Sequence, residues 1–142
     1  MQQPLKIGDI SLENRVFLAP MSGITDMPFR LLAKRYGAGL VVSEMVASEA
    51  LIRDCDIASQ KASFDRRQGT VVVQIAGANP QNMAVAAQVN EAAGADVIDI
   101  NMGCPAKRVV NSMAGSALLQ HEELVQEILE AVVGAVKIPV TL

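Results

Sequence analysis

Residues 97–107 read VIDINMGCPAK, and this stretch decides the fold. Its first part, Val97 to Ile100, is a mainly apolar run of the kind that forms a buried strand. Gly103 and Pro105 cannot continue a strand comfortably, so they place Cys104 on a loop. In α/β proteins, functional residues lie at the carboxyl ends of strands. Cys104 is therefore the first candidate for a functional residue.

Length and composition indicate one domain with an aliphatic core. The chain has 142 residues, of which 51% are apolar and only 3% are aromatic. A core of sufficient size can therefore form from Ala, Val, Ile, Leu and Met. The formal net charge of −3 argues against binding nucleic acid by charge alone, although a local basic patch is compatible with it.

The number and spacing of the cysteines and the polar N-terminal residues predict a cytoplasmic protein. Cys55, Cys104 and a single histidine lack the close spacing of a zinc site, and two cysteines do not form a disulfide scaffold. We expect no metal. The first residues lack the apolar region of a signal peptide, and no apolar stretch approaches the roughly 20 residues of a membrane span. We therefore expect no membrane association.

Apolar runs alternate with helical patterns along the chain. Residues 5–15 predict a hairpin around a Gly-Asp turn. The predicted strands after it are 16–19, 40–46, 70–76, 97–101 and 138–142. The predicted helices are one capped by Thr25 or Asp26 and ended by Gly37, one opened by Asn79 and Pro80 and closed by Gly94, and one over 122–133. In the first of these helices the apolar face is predicted to comprise Phe29, Leu32, Ala33 and Tyr36. Between residues 47 and 68 we expect a short helix and a polar loop.

This alternation indicates an α/β protein, and two architectures compete. A doubly wound sheet fits the length, but no Gly-x-Gly-x-x-Gly follows the first strand and no P-loop is present. A complete barrel needs roughly 250 residues. However, a barrel would bring the informative strand ends around one mouth, namely 20–22, 43–45, 74–77 and 101–104. We therefore predict the N-terminal half of a (β/α)8 TIM barrel, with about four βα units and the start of strand five after a short hairpin.

Several motifs together resemble those of the bacterial tRNA-dihydrouridine synthases, with the closest likeness to the B subgroup. The motifs are APMSGITD at 19–26, SEM at 43–45, VQIAG at 73–77, DINMGCPAK at 99–107 and AGSALL at 114–119. The resemblance covers essentially the whole chain. It implies an enzyme that carries flavin mononucleotide (FMN) on a TIM barrel and reduces the C5–C6 double bond of uridine in tRNA. NADPH would be the electron donor, and a helical C-terminal domain would help to hold tRNA.

The resemblance also implies roles for individual residues. The residues that would lie against the flavin ring are Pro20, Met21 and Ser22. Gln74 would hydrogen-bond the edge of the isoalloxazine, and Asn101 would stand near flavin and uracil. Cys104 would be the catalytic acid, which protonates C5 after hydride transfer to C6.

Other interpretations of these residues stay open at the level of sequence. A thiol with an ordinary pKa of about 8.5 is mostly protonated at neutral pH and suits an acid, whereas a depressed pKa would suit a covalent nucleophile. Cys104 would otherwise be a buried structural thiol. Gln74 and Asn101 could instead satisfy nearby backbone. Glu44 either orients neighbours across the barrel mouth or forms a salt bridge, and Cys55 is predicted to be incidental.

The family continues beyond Leu142, so 1–142 corresponds to a partial FMN-binding catalytic domain. The resemblance places a flavin-contacting lysine, the glycine-rich phosphate site and the helical domain in that later part. A cofactor's phosphate provides much of its binding, so we expect isolated 1–142 to bind FMN weakly or not at all and to be inactive. After FMN addition and desalting, the purified chain should retain no stoichiometric flavin absorbance. A one-to-one flavin band would contradict this prediction.

Two other functions remain as alternatives to tRNA reduction. One is a related FMN barrel dehydrogenase acting on free pyrimidines, such as a dihydroorotate or dihydropyrimidine dehydrogenase. The other is a non-catalytic half barrel that self-associates through open strand edges. Two basic pairs, Arg66–Arg67 and Lys107–Arg108, are weak candidates for phosphate contacts.

Overall fold

The computed structural model describes residues 4–52 and 62–142, and its first element is the predicted hairpin. Strands β1 (Lys6–Ile7) and β2 (Ile10–Ser11) pair in the antiparallel sense. Gly8 begins the turn with a φ of 57°, a conformation that glycine adopts without a steric penalty. The hairpin prediction is therefore confirmed.

Parallel strands follow the hairpin in strict chain order. The strands are β3 (Phe17–Leu18), β4 (Leu40–Val41), β5 (Val46–Ala47), β6 (Val72–Ala76), β7 (Val97–Ile100) and β8 (Val140–Thr141). The parallel pairs are β3 with β4, β5 with β6, β6 with β7, and β7 with β8. The predicted strand 40–46 is divided into β4 and β5, and a parallel bridge from Val42 to Val72 joins the end of β4 to the start of β6.

The order of these strands distinguishes the two architectures that the sequence leaves open. A doubly wound sheet reverses its strand order at a switch point. Here the paired strands are always consecutive in the chain, β3 with β4 and then β5 through β8, and the order never reverses. The α/β class and the N-terminal half of a TIM barrel are confirmed.

The helices begin near the predicted caps. They are α1 (Met27–Arg35), α2 (Ser48–Ile52), α3 (Pro80–Ala93), α4 (Lys107–Val110) and α5 (Glu122–Ala135), with 3-10 helices at Arg66–Gln68 and Gly115–Gln120. The Asp26 side chain accepts the Phe29 N–H at 2.9 Å, and Asn79 caps α3 in the same way. The predicted short helix after residue 47 corresponds to α2. Cys55 and the rest of 53–61 lie outside the described residues.

The predicted apolar face of α1 is wrong. Phe29, Leu32 and Tyr36 are exposed, and the buried residue of this helix is Arg30. Arg30 donates hydrogen bonds to the loops beneath the helix, so the side that carries this arginine faces the protein.

The two faces of the sheet have different partners. Val73 and Ile75 of β6 pack against the core residues of α3 and α5, and so do Ile98 and Ile100 of β7. The alternate residues Val72 and Val97 pack instead with Leu12 and the hairpin. We call this second face the interior face. The hairpin thus covers its amino end, and the next interior positions along the strands are polar, Gln74 and Asp99.

No helix within the described residues is long and apolar enough to cross a membrane. Among these residues, β3 and β8 are the first and the last of the parallel strands and form the two edges of the partial barrel.

These edges predict self-association of isolated 1–142. Unpaired strand edges offer N–H and C=O groups to another chain, and Val16 beside β3 is 67% exposed. Light scattering on a sizing column should show a mass that rises with protein concentration. Val16→Lys should reduce this rise, whereas Tyr36→Lys, at a residue 84% exposed beyond α1, should not. A monomer at every concentration would contradict the prediction.

Candidate active site

The strand ends bring three of the predicted site residues into contact, namely Gln74, Asn101 and Cys104. Gln74 lies on β6, and Asn101 and Cys104 follow β7 directly. Ser22, in the turn after β3, lines a cavity of about 430 Å³ together with Gly77, which follows β6. Because Ser22 and Gly77 line the same cavity, the turn after β3 lies close to the end of β6, as a barrel requires. The other predicted site residues, Pro20, Met21, Gln74, Asn101 and Cys104, do not line this cavity.

A row of hydrogen bonds runs across the interior face from β8 to the cysteine loop. Thr141 Oγ1 donates to Asp99 Oδ1 at 2.5 Å, and Gln74 Nε2 donates to Asp99 Oδ2 at 2.6 Å. Asn101 Nδ2 then donates to Gln74 Oε1 at 2.9 Å, and the Cys104 backbone N–H donates to Asn101 Oδ1 at 3.1 Å. The cysteine loop is thereby tied to three strands. The side-chain amides of Gln74 and Asn101 thus bind each other, the Asp99 carboxylate and the Cys104 backbone N–H. Hydrogen bonding within the protein is the alternative to ligand contact that the sequence leaves open for these amides.

Cys104 is partly accessible to solvent rather than fully buried in the core. The residue is half-buried and carries a free thiol. This partial exposure argues against a buried structural thiol and leaves the acid and the nucleophile as interpretations.

The Cys104 carbonyl is held by Gly115 and Ser116 of the AGSALL motif, a contact that we call the clamp. The Ser116 N–H donates to Cys104 O at 3.0 Å. Gly115 has a φ of 60°, and a Cβ at this position would lie 2.5 Å from Cys104 O. A glycine is needed here both for the left-handed backbone and for the close approach.

Replacing Gly115 with alanine should therefore displace the cysteine loop. The left-handed conformation alone costs about 1–2 kcal/mol for a residue with a Cβ, and the contact with the carbonyl adds to this. We expect a lower urea midpoint and faster alkylation of Cys104, measured by peptide mass spectrometry. Gly134→Ala in α5 is the matched control, because a Cβ there meets nothing within 4 Å. Equal alkylation rates in both variants would rule out the clamp.

The turn after β3 is held rigid by its own hydrogen bonds and by Glu44. Thr25 Oγ1 accepts the Met21 N–H at 2.9 Å, and the Gly23 N–H donates to Glu44 Oε1. Glu44 is buried, and through the Gly23 N–H it links the segment after β4 to the turn after β3. Met21 is 38% exposed and Ser22 is exposed, so the turn presents both side chains to the outside.

Arg30 supports this turn from below, and sequence reasoning missed it. Its Nη1 donates to Thr25 O at 2.8 Å, its Nη2 to Ser63 O at 2.6 Å and its Nε to Gln68 Oε1 at 3.3 Å. Burial lowers the pKa of Arg30, and the charges of Glu44 and Asp26 oppose that shift. An arginine in a surface helix carries no sequence signal for burial, because this residue type is mostly exposed.

The two basic pairs have different environments. Arg66 pairs with Asp96 at 2.7 Å, and Arg67 pairs with Asp65 at 2.6 Å. Hydrogen bonds from Arg67 lower the pKa of Asp65 to about 2, so this carboxylate stays charged and neutralises its partner. Lys107 and Arg108 form no ion pair within the described part of the chain, and Arg108 lines the cavity beside Ser22. Of the two pairs, the one after the cysteine loop is the better placed for phosphate.

Across residues 4–52 and 62–142, no group of three or more His, Cys, Asp or Glu side chains is arranged to hold a metal ion.

Comparison with known proteins assigns the family. The model of the dihydrouridine synthase family, described as "Dihydrouridine synthase (Dus)", matches residues 17–142. A probable tRNA-dihydrouridine synthase of Rickettsia bellii is 54% identical over 138 residues, which cover 96% of this chain and 42% of that protein. The tRNA-dihydrouridine synthases B of Pasteurella multocida and Pseudomonas putida are 51% and 54% identical, with 97% of this chain covered in each case. The chain spans 42% and 41% of the length of these two relatives. It therefore belongs to the dihydrouridine synthase family.

Proposed function

We propose that residues 1–142 form part of a catalytic domain that reduces the C5–C6 double bond of uridine in tRNA to give dihydrouridine. The names of the relatives support the reaction and its tRNA substrate. The single observation that carries the proposal is the half-buried Cys104, which follows the carboxyl end of β7. It is held by one hydrogen bond that its backbone N–H donates and by another that its carbonyl accepts.

The residues present fit the flavin that the resemblance implies. A carboxamide has two N–H groups and two acceptor lone pairs, and Gln74 uses one N–H and one lone pair within the protein. The remaining N–H and lone pair suit the edge of a ring that has both donors and acceptors. The turn Pro20–Ser22 offers the exposed side chain of Met21 as an apolar contact. We propose that these residues hold FMN, which would be reduced by NADPH.

Each protein group then has a defined task in the reaction. When bound, the flavin supplies the hydride that adds to C6. The thiol of Cys104 donates the proton that C5 needs, and Asn101 holds the loop that carries this thiol. Lys107 and Arg108 follow the same loop and contact phosphates of the bound tRNA. The product is released with two hydrogens added across the former double bond. The same proposal places the protein in the cytoplasm with its tRNA.

A chimera tests this function without depending on the isolated chain. Residues 1–142 would replace the matched segment of the Pseudomonas putida relative, which is 54% identical to them. The chimera would be expressed in a strain that lacks its own tRNA-dihydrouridine synthases. We expect dihydrouridine to return to the tRNA, as measured by nucleoside mass spectrometry. The relative's own sequence is the positive control. Reduction of free uracil or uridine without reduction of tRNA would overturn the proposed substrate.

A further inference from the structure

We propose that Asp99 is a positioning residue that sets the orientation of both site amides and, through them, the place of the Cys104 loop. Asp99 is not assigned a role by the motif analysis or by the proposed function. It lies on the interior face of β7, in register with Gln74 on one side and Thr141 on the other. The link of this role to catalysis rests on the proposed function, but the positioning itself does not.

The groups at the two ends of the hydrogen-bonded row between Asp99 and Cys104 have fixed hydrogen-bonding chemistry. A carboxylate only accepts hydrogen bonds, and a backbone N–H only donates them. Asp99 Oδ2 stands at one end, and the Cys104 N–H stands at the other. The two amides between these ends, Gln74 and Asn101, could each present either oxygen or nitrogen in either direction.

Only one orientation of the two amides satisfies every hydrogen bond of the row. Gln74 must turn its NH₂ toward Asp99, which leaves its oxygen toward Asn101. Asn101 must then turn its NH₂ toward Gln74, which leaves its oxygen for the Cys104 N–H. A flip of Gln74 would oppose its oxygen to a carboxylate oxygen, and a flip of Asn101 would oppose its NH₂ to the Cys104 N–H. Buried polar groups are costly when unsatisfied, and Gln74 is only 6% exposed.

The Asp99 carboxylate is itself held in place. Its second oxygen, Oδ1, accepts from Thr141 Oγ1 on the neighbouring strand. The carboxylate is thus aimed along the sheet by the strand register, and the orientation of the row follows from rigid elements rather than from the loop. The loop adopts the orientation that the sheet imposes.

The test exchanges the chemistry of two neighbouring positions and measures the amide of Cys104. Gln74→Glu places a second carboxylate beside Asp99, so the donor to Asp99 is lost and the repulsion between the two carboxylates should displace the side chain at position 74 from Asn101. Adding Asp99→Asn should restore the row, because the introduced NH₂ at position 99 donates to the introduced carboxylate at position 74, whose other oxygen still accepts from Asn101. Amide hydrogen exchange of the flavin-free chimera would be followed by mass spectrometry with residue-level fragmentation. The internal reference is the Asn101 N–H, which donates to Ile75 O within the sheet.

We expect the Cys104 amide to exchange at least about tenfold faster in Gln74→Glu, because local opening governs exchange. The Asn101 amide should keep its rate. The double variant Gln74→Glu/Asp99→Asn should bring the Cys104 amide back to within about threefold of the unchanged protein, since the hydrogen bond is restored. A general loss of packing would move both amides and would not be reversed by a second substitution.

A second variant keeps the proposal falsifiable if Gln74→Glu does not fold. In Asp99→Leu the new side chain resembles aspartate in shape and adds no charge. This variant should also accelerate hydrogen exchange of the Cys104 amide and leave the exchange rate of the Asn101 amide unchanged. Restored folding in the double variant would itself support the row. Unchanged Cys104 exchange in Asp99→Leu, or a double variant that shows no restoration, would overturn the proposal. The experiment contains neither flavin nor tRNA, so its failure is distinct from a failure of the chimera to modify tRNA.

Discussion

Replacing Cys104 with alanine in the chimera should lower the rate of tRNA uridine reduction by about 10²–10⁴-fold, the usual contribution of a positioned general acid. The physical reason is the loss of the proton donor for C5, while the loop keeps the backbone hydrogen bonds that Asn101 and Ser116 make with it. Single-turnover reduction of tRNA, followed by nucleoside mass spectrometry, measures the effect on chemistry.

The controls for Cys104 separate an acid from a structural thiol. Cys55→Ala changes the only other cysteine of the chain and should leave the rate within about twofold, because no motif gives this cysteine a role. Cys104→Ser keeps the size of the side chain but offers a much weaker acid, so it should resemble Cys104→Ala in rate and the unchanged protein in tRNA affinity. Full activity of Cys104→Ser would exclude the thiol as the proton donor.

Replacing Arg30 with methionine should lower the free energy of unfolding by about 3–5 kcal/mol, because several hydrogen bonds of a charged group are lost at once. Arg30 is 1% exposed and donates to Thr25 O, Ser63 O and Gln68 Oε1. Each of these acceptors would lose the donor that the guanidinium provides. Methionine keeps most of the volume, so the effect reports on the polar groups rather than on a cavity. Urea unfolding followed by circular dichroism measures the loss.

Arg35 provides the matched control for Arg30. It lies in the last turn of the same helix, it is exposed, and Arg35→Met should change the free energy of unfolding by no more than about 0.5 kcal/mol. Arg30→Lys should recover only part of the loss, because a lysine lacks the planar fork that reaches several acceptors. If Arg30→Met and Arg35→Met unfold at the same urea concentration, the buried arginine is not a support of the turn.

The alternation of strands and helices was predictable from the sequence because each of its signals is local. Asn79 and Pro80 begin α3, and Gly94 ends it with a φ of 103°, so the cap residues identify the element on their own. The position of Cys104 after β7 follows from the same kind of signal, since Gly103 and Pro105 interrupt an apolar run. Even the barrel order was accessible, because the functional groups recur at successive strand ends.

Contacts between distant residues were beyond the sequence because several partners are chemically possible for each group. The pattern of α1 predicts an apolar face toward the core, but the acceptors Ser63 O and Gln68 Oε1 come from a segment more than thirty positions away and draw Arg30 inward. Glycine at position 115 is required by the carbonyl of Cys104, a close neighbour only in the folded chain.

The sequence by itself determined the class of fold and the loop that carries the thiol, and it favoured the barrel order of the strands over the doubly wound order. The tertiary structure alone decided how that thiol is held. Asp99, Gln74 and Asn101 meet only because the parallel register places β6 and β7 side by side, and the direction of their hydrogen bonds depends on the carboxylate at one end and the Cys104 N–H at the other. Local propensity contains no information about that register, so the arrangement exists only in the folded sheet.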